Sequence, residues 1–204
     1  RMVRFSHSIF ALPFALASLA FASLSAHVGL RQILWVVVAM LAARNAAMGF
    51  NRLADAAIDA RNPRTSGREI PRGVLGRLEV AAFVLVLSAV FVLAAGMLNR
   101  TCLVLSPLAL GIVFLYSYTK RFTWASQAFL GLALAIAPVG AWIAVTGTVA
   151  WPPVLLALSV LCWVAGFDVI YALQDLDFDR AEGLHSIPTR FGAASALWIA
   201  RVLH

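Results

Sequence analysis

Asn51-Arg52-Leu53-Ala54-Asp55-Ala56-Ala57-Ile58-Asp59 closes an apolar run that occupies residues 32–51. A second stretch, Asp168-Val169-Ile170-Tyr171-Ala172-Leu173-Gln174-Asp175-Leu176-Asp177-Phe178-Asp179, closes another run over 151–172. Each run has the ~20-residue length that crosses a bilayer as a helix, and each ends in spaced carboxylates. Together the two stretches hold six of the chain's nine acidic residues, although its net charge is +7. Carboxylates gathered this way, in a chain that otherwise avoids charge, suggest a site for magnesium and a diphosphate.

The rest of the chain resembles these two runs. Hydrophobic residues make up 62% and charged residues 12%, about half the ~25% charge of an average soluble domain. Mean hydropathy is +0.90. Bilayer-length runs are read at 7–26, 32–51, 79–98, 101–119, 124–146 and 151–172, with a seventh starting near 192. The expected fold class is all-α, a multi-pass transmembrane helical bundle forming a single domain over 1–204. A β-barrel would need short alternating segments, which are absent. Cys102 and Cys162 lie within apolar runs and lack metal-ligand spacing, so they read as small core residues. The chain opens on Arg1 and stops at His204 inside an apolar run, so the expectation is a fragment that lacks C-terminal helices.

Lysine and arginine set the topology. With the N-terminus inside, Arg1, Arg4, Arg52, Arg61, Arg64, Arg68, Arg72, Arg77, Lys120, Arg121, Arg180 and Arg190 fall on the inner side. Arg31 and Arg100 fall outside, while Arg44 and Arg201 lie within apolar segments. Both acidic stretches therefore face the cytoplasm, and the expected location is a bacterial inner membrane. The basic balance is topogenic. No soluble basic domain is present to bind nucleic acid.

Two long polar loops, 52–77 and 173–191, each begin with an acidic motif, and the helix–helix–motif spacing recurs four helices later. At about 100° per residue, Asn51, Asp55 and Asp59 share an arc of about 80°, and Arg44 lies within it. Asp168, Tyr171, Asp175 and Asp179 share a similar arc, while Asp177 points the other way. This arithmetic takes the helix to run through each motif. Mg²⁺ prefers hard oxygen ligands, typically one or two carboxylates plus substrate phosphates. Two facing aspartate pairs suit that chemistry, with Arg64, Arg68, Arg72, Lys120 and Arg121 to neutralise phosphate charge. Intramembrane carboxylates also serve cation transporters, so a transporter is the alternative of another class. Against it, the carboxylates lie at helix ends among basic residues.

Asn51-x-x-x-Asp55-x-x-x-Asp59 followed by a second Asp-rich motif resembles the UbiA superfamily of intramembrane prenyltransferases. Further matching stretches are Phe5-Ser6-His7-Ser8-Ile9-Phe10-Ala11-Leu12-Pro13-Phe14, Asn62-Pro63-Arg64-Thr65 with Arg68, and Tyr116-Ser117-Tyr118-Thr119-Lys120-Arg121-Phe122-Thr123. The resemblance implies a nine-helix bundle with a lateral opening to lipid, of which this chain holds six to seven helices. It also implies Mg²⁺-dependent transfer of a polyprenyl group from its diphosphate to an acceptor. By match, Asn51, Asp55, Asp59, Asp175 and Asp179 would serve the metals and diphosphate. Arg68 and Lys120 would hold phosphates with Tyr116 beside them, and Asp168 would line the same cavity. Asp168, Asp175, Lys120 and Tyr116 are the catalytic candidates. Arg44, Asn51, Arg64, Arg68, Lys120 and Tyr171 are the substrate-binding candidates, with Arg44 suited to an acceptor carboxylate or to phosphate. Glu69, where other branches more often place proline after the second loop arginine, resembles the 4-hydroxybenzoate branch, which supplies ubiquinone-type quinones. A naphthoate acceptor in menaquinone synthesis is the alternative.

Overall fold

The structure is a computed structural model that describes residues 12–204. All regular structure among these residues is helical. The elements are α1 (Leu12–Ser23), α2 (Leu30–Ala54), α3 (Ala56–Arg61), α4 (Arg77–Leu98), α5 (Arg100–Thr119), α6 (Ser126–Thr146), α7 (Trp151–Ala172), a 3₁₀ turn (Leu173–Asp175), α8 (Leu176–Ala181) and α9 (Ile187–Leu203). Five helices are long and apolar enough to cross a membrane, and α1 is a shorter apolar helix. The first expected span began at residue 7. Its entry, and most of the Phe5–Phe14 stretch, lie outside the described residues. The seventh run, expected near 192, is helical from Ile187 but breaks at Gly192, whose φ of 81° only glycine adopts readily.

Helix starts follow local chemistry. The Asn99 carboxamide accepts the Cys102 amide at 2.8 Å and opens α5. Ser186 accepts the Thr189 amide at 3.2 Å and opens α9, each satisfying an otherwise orphaned N–H. Gly147, with φ 72°, closes α6 in the left-handed conformation.

Close approach of helices depends on small residues, as is usual in lipid. A Cβ on Gly131 of α6 would meet the Leu161 carbonyl oxygen of α7 at 2.4 Å. One on Gly49 of α2 would meet Val84 of α4 at 2.8 Å. α2 packs on α4 and α5, α5 on α6, and α6 on both α1 and α7, while α9 covers α7. Ala15, Leu19, Val36, Met40, Ala141 and Ala144 join α1, α2 and α6 in one buried cluster. Val169, Ile187, Ala196 and Ala200 join α7 and α9 in another.

Neither motif is a continuous helix, which corrects the arithmetic above. α2 stops at Ala54, and Asp55 sits at φ −95°, ψ 3° before α3 begins. α7 gives way to the 3₁₀ turn, and Asp175 sits at φ −108°, ψ 9° before α8. Each aspartate thus occupies the bridge region, and each is followed by a six-residue helix. The repeat suspected from motif spacing has a matching backbone form. The two loops are correspondingly less irregular than expected, since α3 and α8 fill their first turns.

Candidate active site

Asp55 is 2% and Asp59 4% exposed, and carboxylates so buried need charged partners. The Lys120 ammonium lies 2.8 Å from Asp55 Oδ2, and Arg121 Nη2 lies 3.3 Å from Oδ1. Asn51 Nδ2 donates to the same Oδ2 at 3.1 Å and to Ser117 Oγ at 3.4 Å. Arg68 Nη1 donates to both Asp59 oxygens, at 2.7 and 2.6 Å. The first motif is thus bound by the start of the α5–α6 turn and by its own following loop.

The second motif reaches across to that loop. Arg64 Nε donates to Asp175 Oδ1 at 2.8 Å, and its Nη2 pairs with Oδ2. Asn62 Nδ2 donates to Asp175 Oδ1 at 3.1 Å, while its own oxygen accepts the Arg64 amide at 2.9 Å. The Arg64 guanidinium also lies 5.3 Å from the Tyr171 ring centre, a cation–π arrangement. The Asp175 carboxylate raises the Arg64 pKa above its ordinary value through this hydrogen bonding. Asp179 lies within electrostatic reach of Asp175, Lys120, Arg64 and Asp55. Lys120, Arg64 and the four motif carboxylates therefore form one charged layer.

Beneath this layer lies an apolar cavity of about 660 Å³. Arg44, Asn51, Arg68 and Tyr116 line its upper end, and Met40, Leu98, Cys102 and Ile143 line it farther down. The Arg44 Nε is buried with no hydrogen-bond partner. Tyr116 lines the cavity four residues before Lys120, at the end of α5 that meets the layer.

The structure brings Asn51, Asp55, Asp59, Arg64, Arg68, Lys120, Asp175 and Asp179 together at one end of the bundle. Asp168 sits beside the charged layer, within reach of Lys120 and Asp179. Tyr171 is exposed and meets Arg64 through its ring. Asp177, set aside on geometry, is exposed. Three contributors were missed. Asn62 bridges the two motifs. Arg61 and Glu182 form a bidentate pair, with Arg61 Nε at 3.0 and 2.9 Å and Nη2 at 2.6 Å from the carboxylate. Arg61 holds the Glu182 carboxyl below its usual pKa. The Asn62-Pro63-Arg64-Thr65 match carried a signal for Asn62; a lone arginine and a lone glutamate carried none.

The donor set fits magnesium shared with a diphosphate. Among the described residues no three carboxylate, histidine or cysteine side chains converge on one point, so a cage made by protein alone is not present. Each motif instead offers two carboxylates, and Asn51 adds an amide. Mg²⁺ uses one or two carboxylates and completes its shell with water and substrate phosphate.

Comparison with known proteins agrees with the geometry. The UbiA prenyltransferase family profile matches residues 11–204. A mitochondrial 4-hydroxybenzoate polyprenyltransferase of Arabidopsis thaliana is 38% identical over 76% of this chain and 39% of its own length. A 4-hydroxybenzoate octaprenyltransferase of Vibrio atlanticus is 32% identical over 80% of this chain and 57% of its own. The chain thus spans between about two-fifths and three-fifths of these relatives. The apo structure of a UbiA homolog from Aeropyrum pernix K1 superposes with TM-score 0.91 at 35% identity, covering 99% of this chain and 76% of that one. A UbiA homolog from Archaeoglobus fulgidus bound to DMAPP and Mg²⁺ shares the fold at TM-score 0.76 and 21% identity, covering 96% and 69% of the two chains. By profile, sequence and fold, the chain belongs to the UbiA prenyltransferase family.

Proposed function

We propose that the protein transfers a polyprenyl group from its diphosphate to the ring of 4-hydroxybenzoate, with Mg²⁺ as cofactor, in the synthesis of ubiquinone-type quinones. One observation carries this reading: a layer of four carboxylates interleaved with Lys120, Arg64 and Arg68 closes the end of a long apolar cavity. That arrangement suits a substrate with an anionic head and a hydrocarbon tail. The names of the relatives support the acceptor, as does Glu69 in the first loop.

Bound Mg²⁺ would stabilise the departing diphosphate, held by Asn51, Asp55, Asp59, Asp175 and Asp179. The chain's own residues do the rest. Lys120, Arg64 and Arg68 move from carboxylate to phosphate oxygens and neutralise their charge. The cavity walls hold the tail and exclude water from the allylic carbon. Arg44, whose buried Nε lacks a partner, binds the acceptor carboxylate. The allylic C–O bond breaks and pyrophosphate leaves with the bonding pair. The ring carbon ortho to the hydroxyl forms the new C–C bond, and its proton passes to a carboxylate beside Tyr116, for which Asp168 is best placed. The lysine and arginine bias supports a site on the cytoplasmic side of the membrane, which we take to be a bacterial inner membrane.

The test supplies membranes containing the full-length protein with Mg²⁺, a labelled prenyl diphosphate and 4-hydroxybenzoate or a dihydroxynaphthoate. Prenylated hydroxybenzoate and pyrophosphate in equal amounts are expected. Product from the naphthoate alone would overturn the acceptor assignment. Cation flux through proteoliposomes without diphosphate consumption would overturn the reaction class.

A further inference from the structure

Asn62 and Arg64 both reach Asp175, but Asp175 is a carboxylate that the proposed reaction needs for metal, and Arg64 is needed for phosphate. When substrate binds, those contacts have to exchange. Arg61–Glu182 is the side-chain pair between the two motif segments, among the described residues, that uses no group assigned to metal or diphosphate.

Its position follows from the repeat. Arg61 is the last residue of α3, and Glu182 is the residue that closes α8. Both helices are six residues long, and each starts directly after an aspartate in the bridge region. The pair therefore joins nearly equivalent points of the two halves. The pair lines a pocket of about 290 Å³ together with Ala54, Ala57, Ile58, Arg121, Gly183 and Leu184. An exposed ion pair normally contributes little to stability, but a bidentate arginine–carboxylate fork fixes geometry.

We infer that Arg61 and Glu182 are positioning residues, a clasp that sets the distance between the Asp55/Asp59 and Asp175/Asp179 half-sites while their own carboxylates exchange partners. The inference rests on the proposed reaction for its kinetic consequence, but not for its structural one. The test uses the full-length protein with Cys102 and Cys162 replaced by alanine and spin labels placed on the exposed positions 60 and 177. The parent should give one narrow inter-label distance, and R61A a broadened or shifted one. In the same variant kcat should fall about 10-fold or more, since a misplacement of about 1 Å can cost ~100-fold. The Mg²⁺ concentration for half-maximal rate should rise about 10-fold, with the acceptor KM unchanged. The exchanged pair R61E/E182R should recover both distance and Mg²⁺ response, and E182Q serves if R61A does not fold. Unchanged distances, an unchanged Mg²⁺ response, or an exchanged pair as poor as the single variants each overturns the clasp. A parent protein with no Mg²⁺-dependent transfer overturns the reaction instead, and leaves the distance measurement to judge the clasp.

Discussion

Arg44 is the residue whose environment asks most plainly for a ligand. It lies on α2 two turns below Asn51, lines the cavity, and has a buried Nε with no hydrogen-bond partner. A buried donor left unmade is costly, whereas a charged hydrogen bond contributes about 1.5–3 kcal/mol. Arg44→Ala should therefore raise the acceptor KM about 10–100-fold and leave the diphosphate KM near its original value. Arg44→Lys should recover little, because an ammonium lacks the planar fork. Steady-state kinetics with each substrate varied in turn decides this, and a change confined to the diphosphate KM would reassign Arg44 to phosphate. Asp55 makes the complementary case. It is buried against Lys120, Arg121 and Asn51, so Asp55→Ala should abolish turnover in membranes that still contain the protein. Asn51→Ala removes one support of that carboxylate and should raise the Mg²⁺ requirement about 10–100-fold. Much of this residue-level picture was legible in the sequence. Spaced carboxylates in an apolar chain are costly, and Arg44 and Asn51, which fall on one arc of α2, both line the cavity. Arg61, Asn62 and Glu182 were harder to see, because their roles depend on partners 113 and 121 residues away.

Helices were easy to place, and their breaks were not. Hydropathy found every long apolar run, since a lipid-facing helix must be apolar almost throughout. The break at Asp55 has no local cause in Ala54-Asp55-Ala56-Ala57, all tolerable in a helix. What marks it is a tertiary contact: Arg121, in the turn after α5, donates to the Ala54 carbonyl and reaches Asp55. The tight contact of α6 with α7 is equally invisible in sequence, where Gly131 is one glycine among 13. Only the structure shows the Leu161 carbonyl lying where a Cβ would be. Gly131→Ala should force the helices apart, cost about 1–3 kcal/mol and lower turnover by moving α7, which carries Asp168. Gly111→Ala, where a Cβ meets nothing within 4 Å, should stay within about 0.5 kcal/mol of the parent. Thermal unfolding in detergent separates the two; equal melting temperatures would refute the packing argument.

Across the whole molecule the charged layer and the cavity form one amphipathic site. The layer caps the ends of α2, α5 and α7, and the cavity descends between them to Leu98, Cys102 and Ile143. From Tyr116 to Cys102 along α5 is fourteen residues, ~21 Å of helix, about two-thirds of a ~30 Å hydrocarbon core. The proposed substrate would thus lie along the membrane normal, with its diphosphate in the layer and its tail descending beside α5. Depth gives a direct test, because Cys102 is a half-buried free thiol on the cavity wall. Cys162 is not among the wall residues and can be replaced by alanine. With Mg²⁺ present and the acceptor omitted, geranylgeranyl diphosphate should slow maleimide labelling of Cys102 several-fold. Dimethylallyl diphosphate fills the same head-group site with a tail too short to reach that depth, so it should leave the labelling rate unchanged. Equal protection by both would mean that binding at the layer closes the cavity at a distance. No protection by either would mean that the tail leaves the bundle sideways above Cys102, and the lower cavity would then have no part in choosing the chain.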